Sequence, residues 1–312
     1  MVTLSGWRGL MALRPTMVDF ERRGFRTAAS ATRSVLEGAG AAFLTGFNLE
    51  LATPAGQAPI LSALPEAHRG FAAEGAAMAA VLLDRLNPAG GRRFAALAAA
   101  HRDRYVYLLY VGGGWALAKL HRRRLGNLGA EEPLLRWLAY DGLGFCRAFF
   151  ASERGMRQWV DHRATCDPTC EIQYQGLGRS LWFRECGDPE ALAARVATLP
   201  ERHQGDVWSG IALAAGYAGG VEPDAYARLH ELAGEHRPAA AQGAAFAAEA
   251  WQRSGYAPAH AHTAVRVLAG AALADAAEWT WQARREVEGP DADATSYRRW
   301  RQRIQAKAMA TT

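Results

Sequence analysis

The densest set of polar side chains in an apolar setting lies at 101–121, with His101, Tyr105, Tyr107, Trp115, Lys119 and His121. His101, Tyr105, Gly112 and Lys119 are spaced four, seven and seven residues apart, so an unbroken helix would carry them near one face. Such a row could line a cavity, supplying an acid or base and aromatic walls for a cation or a conjugated chain. The plainer reading is an amphipathic helix whose tyrosines bury their rings and keep their hydroxyls hydrogen-bonded. Further on, Asp141 and Cys146 flank "GLGF". The carboxylate could serve as base or ligand; equally it could cap a helix. In "GRSLWFREC" Arg179 and Arg184 stand on either side of Trp182 and could grip an anionic head group, against the alternative of a solvated loop with a packed tryptophan. Asp206 with Trp208 reads as a helix cap and its core anchor. Glu74 and Gln242 each precede a glycine, and could bond across a helix contact or reach a cavity.

His162, Cys166 and Cys170 are spaced four apart, which a helix would align. Asp167-Pro168 breaks that helix and leaves "CDPTC" as a turn. With Cys186 these residues could make a zinc site, but the spacing matches no strong signature, and reduced, partly buried thiols are the expectation. No metal or cofactor is expected. The chain has no phosphate-gripping loop, no G-x-S-x-G elbow, no H-E-x-x-H and no C-x-x-C-H. "VGGGWA" lies in an apolar helix rather than after a strand, so it is no dinucleotide fingerprint.

The elements that must position these residues read as helices throughout. Apolar positions recur with helical period, and segments near 28–45, 57–64, 66–86, 91–101, 104–124, 131–151, 154–163, 189–199, 206–218, 223–234, 238–254, 259–287 and 293–308 are predicted helical. Prolines fall at or near the boundaries. "RSLWF" (179–183) is the best strand candidate, and one short extended piece makes no sheet. The fold class is all-α.

Half of the 312 residues are apolar and 21% are charged, ample for a core. The longest uncharged apolar run, 105–118, is short of the roughly 20 residues that a bilayer span needs. Arg8 and Arg14 interrupt any candidate leader, so a cytoplasmic location without membrane contact is expected. The net charge of +5 gathers in "HRRR" (121–124) and "RRWRQR" (298–303), where helix-end cations suffice as explanation. A nucleic-acid partner is not expected.

"EGAAMAA" (74–80) and "QGAAFAA" (242–248) share one frame at an offset of 168 residues. Weaker matches in the same order suggest an internal duplication of about 165 residues. It divides the chain into a first helical repeat (1–125), a connecting segment (126–180) and a second repeat with a C-terminal helix (181–312), with one compact domain as the alternative. A glycine inside a helix costs about 0.5–1 kcal/mol relative to alanine. Close helix–helix contact at Gly75-x3-Ala79 and Gly243-x3-Ala247 is the expected compensation.

With "GWALAKL" (114–120), "DGLGF" (141–145), "GRSLWF" (178–183), "YAGG" (217–220) and "QGAAFAA" in this order, the chain resembles a family encoded beside the polyketide synthase in bacterial enediyne gene clusters. The resemblance covers nearly the whole chain. It implies a role in maturing a linear polyene, without implying a reaction. Tyr110 and Cys146 stand where that family usually carries histidines. The functional expectation is an accessory protein acting on an apolar conjugated chain as a cofactor-independent cyclase or isomerase. The alternative is a non-catalytic binding or delivery protein. Tyr110, Asp141 and Cys146 are the catalytic candidates, and His101, Tyr105, Trp115, Lys119, Arg179 and Trp182 the substrate-binding ones. The expected partners are a hydrophobic small molecule and other enzymes of the same pathway.

Overall fold

The computed structural model describes residues 7–27, 30–87, 91–122, 124–126, 128, 131–162 and 166–311. Trp7–Leu10 (α1) and Phe20–Arg23 (α2) are single turns ahead of the long helices Ser30–Ala52 (α3), Glu66–Leu86 (α4) and Arg93–Lys119 (α5). Leu138–Phe149 (α6), Glu153–Val160 (α7), Pro168–Arg184 (α8), Pro189–Ala197 (α9), Glu201–Ala218 (α10) and Pro223–Ala233 (α11) follow. Arg237–Ser254 (α12), Ala259–Ala269 (α13), Leu273–Arg285 (α14) and Ala294–Thr311 (α15) complete the chain. No strand occurs among the described residues, and none of their helices is long and apolar enough to cross a membrane.

Helix starts follow the proline and acid signals. Asp167 and Asp188 cap α8 and α9 with their carboxylates, each followed by a proline at the first helical position, where the missing N–H is not needed. Three readings of the sequence fail here. "RSLWF" lies inside α8 and is helical, and its arginine and tryptophan find partners across helix contacts. Asp206 is no cap, since α10 begins at Glu201. The "CDPTC" stretch is not a turn either, because Pro168 opens α8 and Cys170 sits in its first turn.

α3, α4, α5, α6, α8, α10 and α12 pack side by side in that order. Contacts ascend together along neighbours, so successive members run in the same direction. Tyr174 stacks on His203 at one end of α8 and α10, and Trp182 Nε1 donates to the Gly219 carbonyl beyond the other. Ser209 meets Gln242 and Trp251 reaches the Gly216 carbonyl between α10 and α12. Within α5 the helical path breaks at Tyr105 (φ −131°, ψ 20°). Before the break the chain runs back from the end of α4, where Asp84 accepts from Arg93 and Phe94 N–H. After it, Gly112 faces Glu74 and Arg85 reaches the Leu125 carbonyl, so this half runs with α4. The row curls until α12 meets α5, where Tyr107 donates to Glu249, and α4 meets α10, where Phe71 packs on Tyr217.

Glycines set the spacing of the row. A Cβ on Gly75 would lie 2.0 Å from the Phe43 carbonyl oxygen, and one on Gly46 would lie 1.9 Å from that of Ala72. The same reciprocal pair recurs as Gly114 with Gly142 between α5 and α6, Gly144 with Gly176 between α6 and α8, and Gly178 with Gly210 between α8 and α10. Gly112 meets the Glu74 carbonyl and Gly243 that of Ser209 in the same way. Residues two apart on a helix point about 200° apart. Each G-x-G therefore offers one glycine to the preceding helix and one to the next. Gly75, Gly112, Gly142, Gly176, Gly210 and Gly243 follow one another at intervals of 30 to 37 residues, and the Gly75–Gly243 match belongs to this series.

Gly75→Ala and Gly176→Ala are each expected to destabilise the protein by about 1–3 kcal/mol or more, because the obstacle is backbone and cannot rotate away. Gly38→Ala, in α3 with open space around it, is expected to stabilise by about 0.5–1 kcal/mol. Denaturant midpoints check both; equal midpoints for all three would mean that the row is not in backbone contact.

Candidate functional site

The curl of the row leaves two apolar chambers inside it. The first is walled by Phe71, Tyr107, Phe183, Tyr217, Phe246 and Trp300, with Asp141, Arg179 and Glu249 as its charged groups. The second is walled by Phe20, Phe43, Trp115, Phe145 and Phe149, with Glu74 and Arg179 inside and Lys119 at its exposed rim. The free volume within them is small, about 50 Å³ and 60 Å³. Phe71, Arg179 and Phe183 line both. The Arg179 guanidinium thus stands where one chamber meets the other.

Arg179 comes from α8 and bonds Asp141 of α6, and its other arm lies 3.6 Å from Glu74 of α4. All three are buried. Gln175 donates to the second oxygen of Asp141 at 2.9 Å, and Trp115 Nε1 donates to Glu74 at 2.9 Å. Burial works against the Arg179 charge, but the Asp141 and Glu74 carboxylates outweigh it and hold the guanidinium charged. For Glu74 the balance goes the other way. Burial pushes its carboxyl above the ordinary glutamate range, against the pull of Arg179 and the Trp115 donor. Two carboxyl groups share one cation, and Glu74 is the more weakly paired of them. Glu249, buried and accepting from Tyr107, is raised by burial as well. The Tyr217 hydroxyl, also at the first chamber, has no hydrogen-bond partner.

The residues singled out from sequence separate into groups. Asp141, Arg179, Trp115 and Lys119 come together around the chambers, with Lys119 Nζ 3.7 Å above the Phe150 ring. His101 and Tyr105 line a separate surface crevice, where His101 Nε2 lies 3.0 Å from the Pro59 carbonyl. The break at Tyr105 ended the single face that the spacing implied. Tyr110 packs against Phe94, and Trp182 is sealed in the core on the Gly219 carbonyl. Burial raises the Tyr110 phenol and pushes the Cys146 thiol up to about 12. Neither Tyr110 nor Cys146 lines either chamber. Sequence reasoning missed Glu249 and Tyr217 as site residues. The run at 298–303 spends its cations on Glu171, Ser296, Asp206 and Glu286.

The fold and site define an all-α protein with a buried carboxyl–guanidinium cluster between apolar chambers. The chain belongs to the protein family of unknown function DUF1702, whose sequence profile matches residues 5–308. No curated protein and no solved structure matches it.

A raised carboxyl has a consequence for stability. Between the ordinary glutamate pKa of about 4.3 and its raised folded value, Glu74 binds more protons folded than unfolded. Stability from this group therefore falls as pH rises. Glu74→Gln removes the effect. The stability of the variant relative to wild type is expected to climb with pH from about 4.3 upward and then level off. Thermal midpoints across that range check it, and a pH-independent difference would mean that the carboxyl titrates normally.

Proposed function

We propose that this protein is a cytoplasmic, acid-initiated cyclase or isomerase of an apolar conjugated chain, working in enediyne-like polyketide biosynthesis as the resemblance implies. The observation that carries the reading is Glu74: a carboxyl that burial biases toward its protonated form, facing an aromatic chamber, beside a cation already matched by Asp141. The acid gives its proton to an alkene carbon of the chain. The carboxylate that results is stabilised by Arg179, and charge developing there lowers the barrier to transfer. The cation formed on the chain is accommodated by the faces of Trp115, Phe43, Phe145 and Phe149. The next double bond closes a ring onto it. A proton lost from the carbon beside the final cation returns to Glu74, so the reaction is a net isomerisation that consumes nothing.

With a linear conjugated polyene as probe, wild type is expected to bleach its long-wavelength absorbance, faster below the raised pKa of Glu74 than above it. Glu74→Gln is expected to slow bleaching by about 100-fold or more while still quenching tryptophan fluorescence on binding. Wild-type quenching without bleaching would replace this reading with that of a binding or delivery protein.

A further inference from the structure

A second cluster lies outside both chambers. His162 just beyond α7, Cys166 just ahead of α8 and Cys170 in the first turn of α8 place their ligand atoms within 4.8 Å of one another. His162 Nε2 lies 3.1 Å from Cys166 Sγ and 3.8 Å from Cys170 Sγ. A fourth donor comes from α10, where His203 Nε2 is 3.1 Å from Cys166 Sγ. Cys186 follows the far end of α8, on the order of 20 Å along the helix axis, and takes no part. We propose that His162, Cys166 and Cys170 hold a structural zinc ion, with His203 drawn onto it as the fourth ligand.

The donor set and its scale fit that ion. Zn²⁺ bonded to sulfur at about 2.3 Å and to imidazole nitrogen at about 2.0 Å in a tetrahedron separates its ligands by about 3.3–3.8 Å. The sulfur–nitrogen contacts here fall close to that range. Two thiolates with imidazole nitrogen select zinc among the common divalent ions, and once His203 moves in from its place against Cys166 the four protein ligands leave no open position, as in structural sites. On binding, both thiols release their protons to solvent, and the two thiolates balance the charge of the ion. The Cys-x3-Cys spacing works because Asp167 and Pro168 start α8 between the two sulfurs.

Groups behind the ligands hold them in place. Asp206 accepts from His203 Nδ1 at 3.0 Å, which directs Nε2 at the sulfurs, and its other oxygen pairs with Arg301 at 2.8 Å. This is the carboxylate–histidine arrangement that metal-binding imidazoles use. The Tyr174 ring lies parallel to the His203 ring with centroids 4.0 Å apart. Arg202 donates to the His162 carbonyl at 2.9 Å and, through Nε, to His203 Nε2 at 3.3 Å, a bond that zinc would displace. His162 and Cys170 also border a surface cleft with Asp167 and Gln173, which gives an ion its way in. Such a site ties the segment between α7 and α8 to α10.

The 312-residue chain, stripped with a chelator and kept reduced, is titrated with ZnCl2 and separately with CoCl2. It is expected to bind about one zinc ion per chain, with a rise in thermal midpoint that the chelator reverses. The cobalt form is expected to show thiolate-to-metal charge transfer and intense tetrahedral d–d bands. Cys166→Ser and Cys170→Ser should lose both, Cys146→Ala should keep both, and Asp206→Asn should weaken zinc binding by about 10–100-fold. Failure of the reduced wild-type chain to bind zinc would overturn the proposal without any variant. So would an unchanged cobalt spectrum in the folded Cys166/Cys170 double variant.

Discussion

The fold depends on backbone touching backbone. At six successive helix junctions a glycine lets a carbonyl oxygen of the neighbouring helix sit where a Cβ would be, 1.9–2.2 Å from it. Such contact brings axes closer than side chains normally permit, and it restricts what each helix can present elsewhere. Two faces of α6 and α8 are given over to neighbours. The remaining faces carry the large residues, among them Trp182 and Trp251, both buried to within 2% of full enclosure.

That constraint also places the chemistry. The residue before the first glycine of each frame is about 100° round the helix from the contact, toward the inside of the curl. In α4, α6, α8, α10 and α12 it is Glu74, Asp141, Gln175, Ser209 and Gln242, all buried. They bond one another along the row: Gln175 to Asp141, Ser209 to Gln242, with Arg179 spanning Asp141 and Glu74. A buried ion pair is weak evidence for stability, since desolvation offsets much of its attraction. Here two carboxyl groups share one guanidinium in an apolar interior.

The helical class and many helix boundaries were legible because apolar period and proline position act locally. The small-residue contacts at Gly75 and Gly243 were legible for the same reason. The G-x-G pairs were not read as contacts, because a spacing of two means opposite faces and gains sense only when both faces are packed. Arg179 was identified without its partners, which lie 38 residues away in α6 and still further in α4. Three members of the Cys/His cluster were visible at a spacing of four. His203 was not, since nothing in "PERHQGD" shows that α10 will lie beside the start of α8. Tyr110 and Cys146 were chosen from a resemblance rather than from their surroundings, and they sit apart from the charged cluster.

The polar seam does not end in the core. Gln242 accepts from Arg301 as well as from Ser209, and Arg301 pairs with Asp206, whose other oxygen holds His203. A chain of hydrogen bonds therefore runs from the inside of α12 to the imidazole at the Cys/His cluster. Each link fixes the next: Arg301 occupies one Asp206 oxygen, so the other is free to take the His203 Nδ1 proton, and Nε2 is left as an acceptor. Arg301 is itself buried, and its charge persists there because Asp206 outweighs the cost of desolvation. Losing that guanidinium would leave Asp206 half-buried with one oxygen unmatched, which loosens the imidazole without touching it. The seam that begins as a by-product of close helix packing thus reaches the periphery and sets the orientation of a ligand group there.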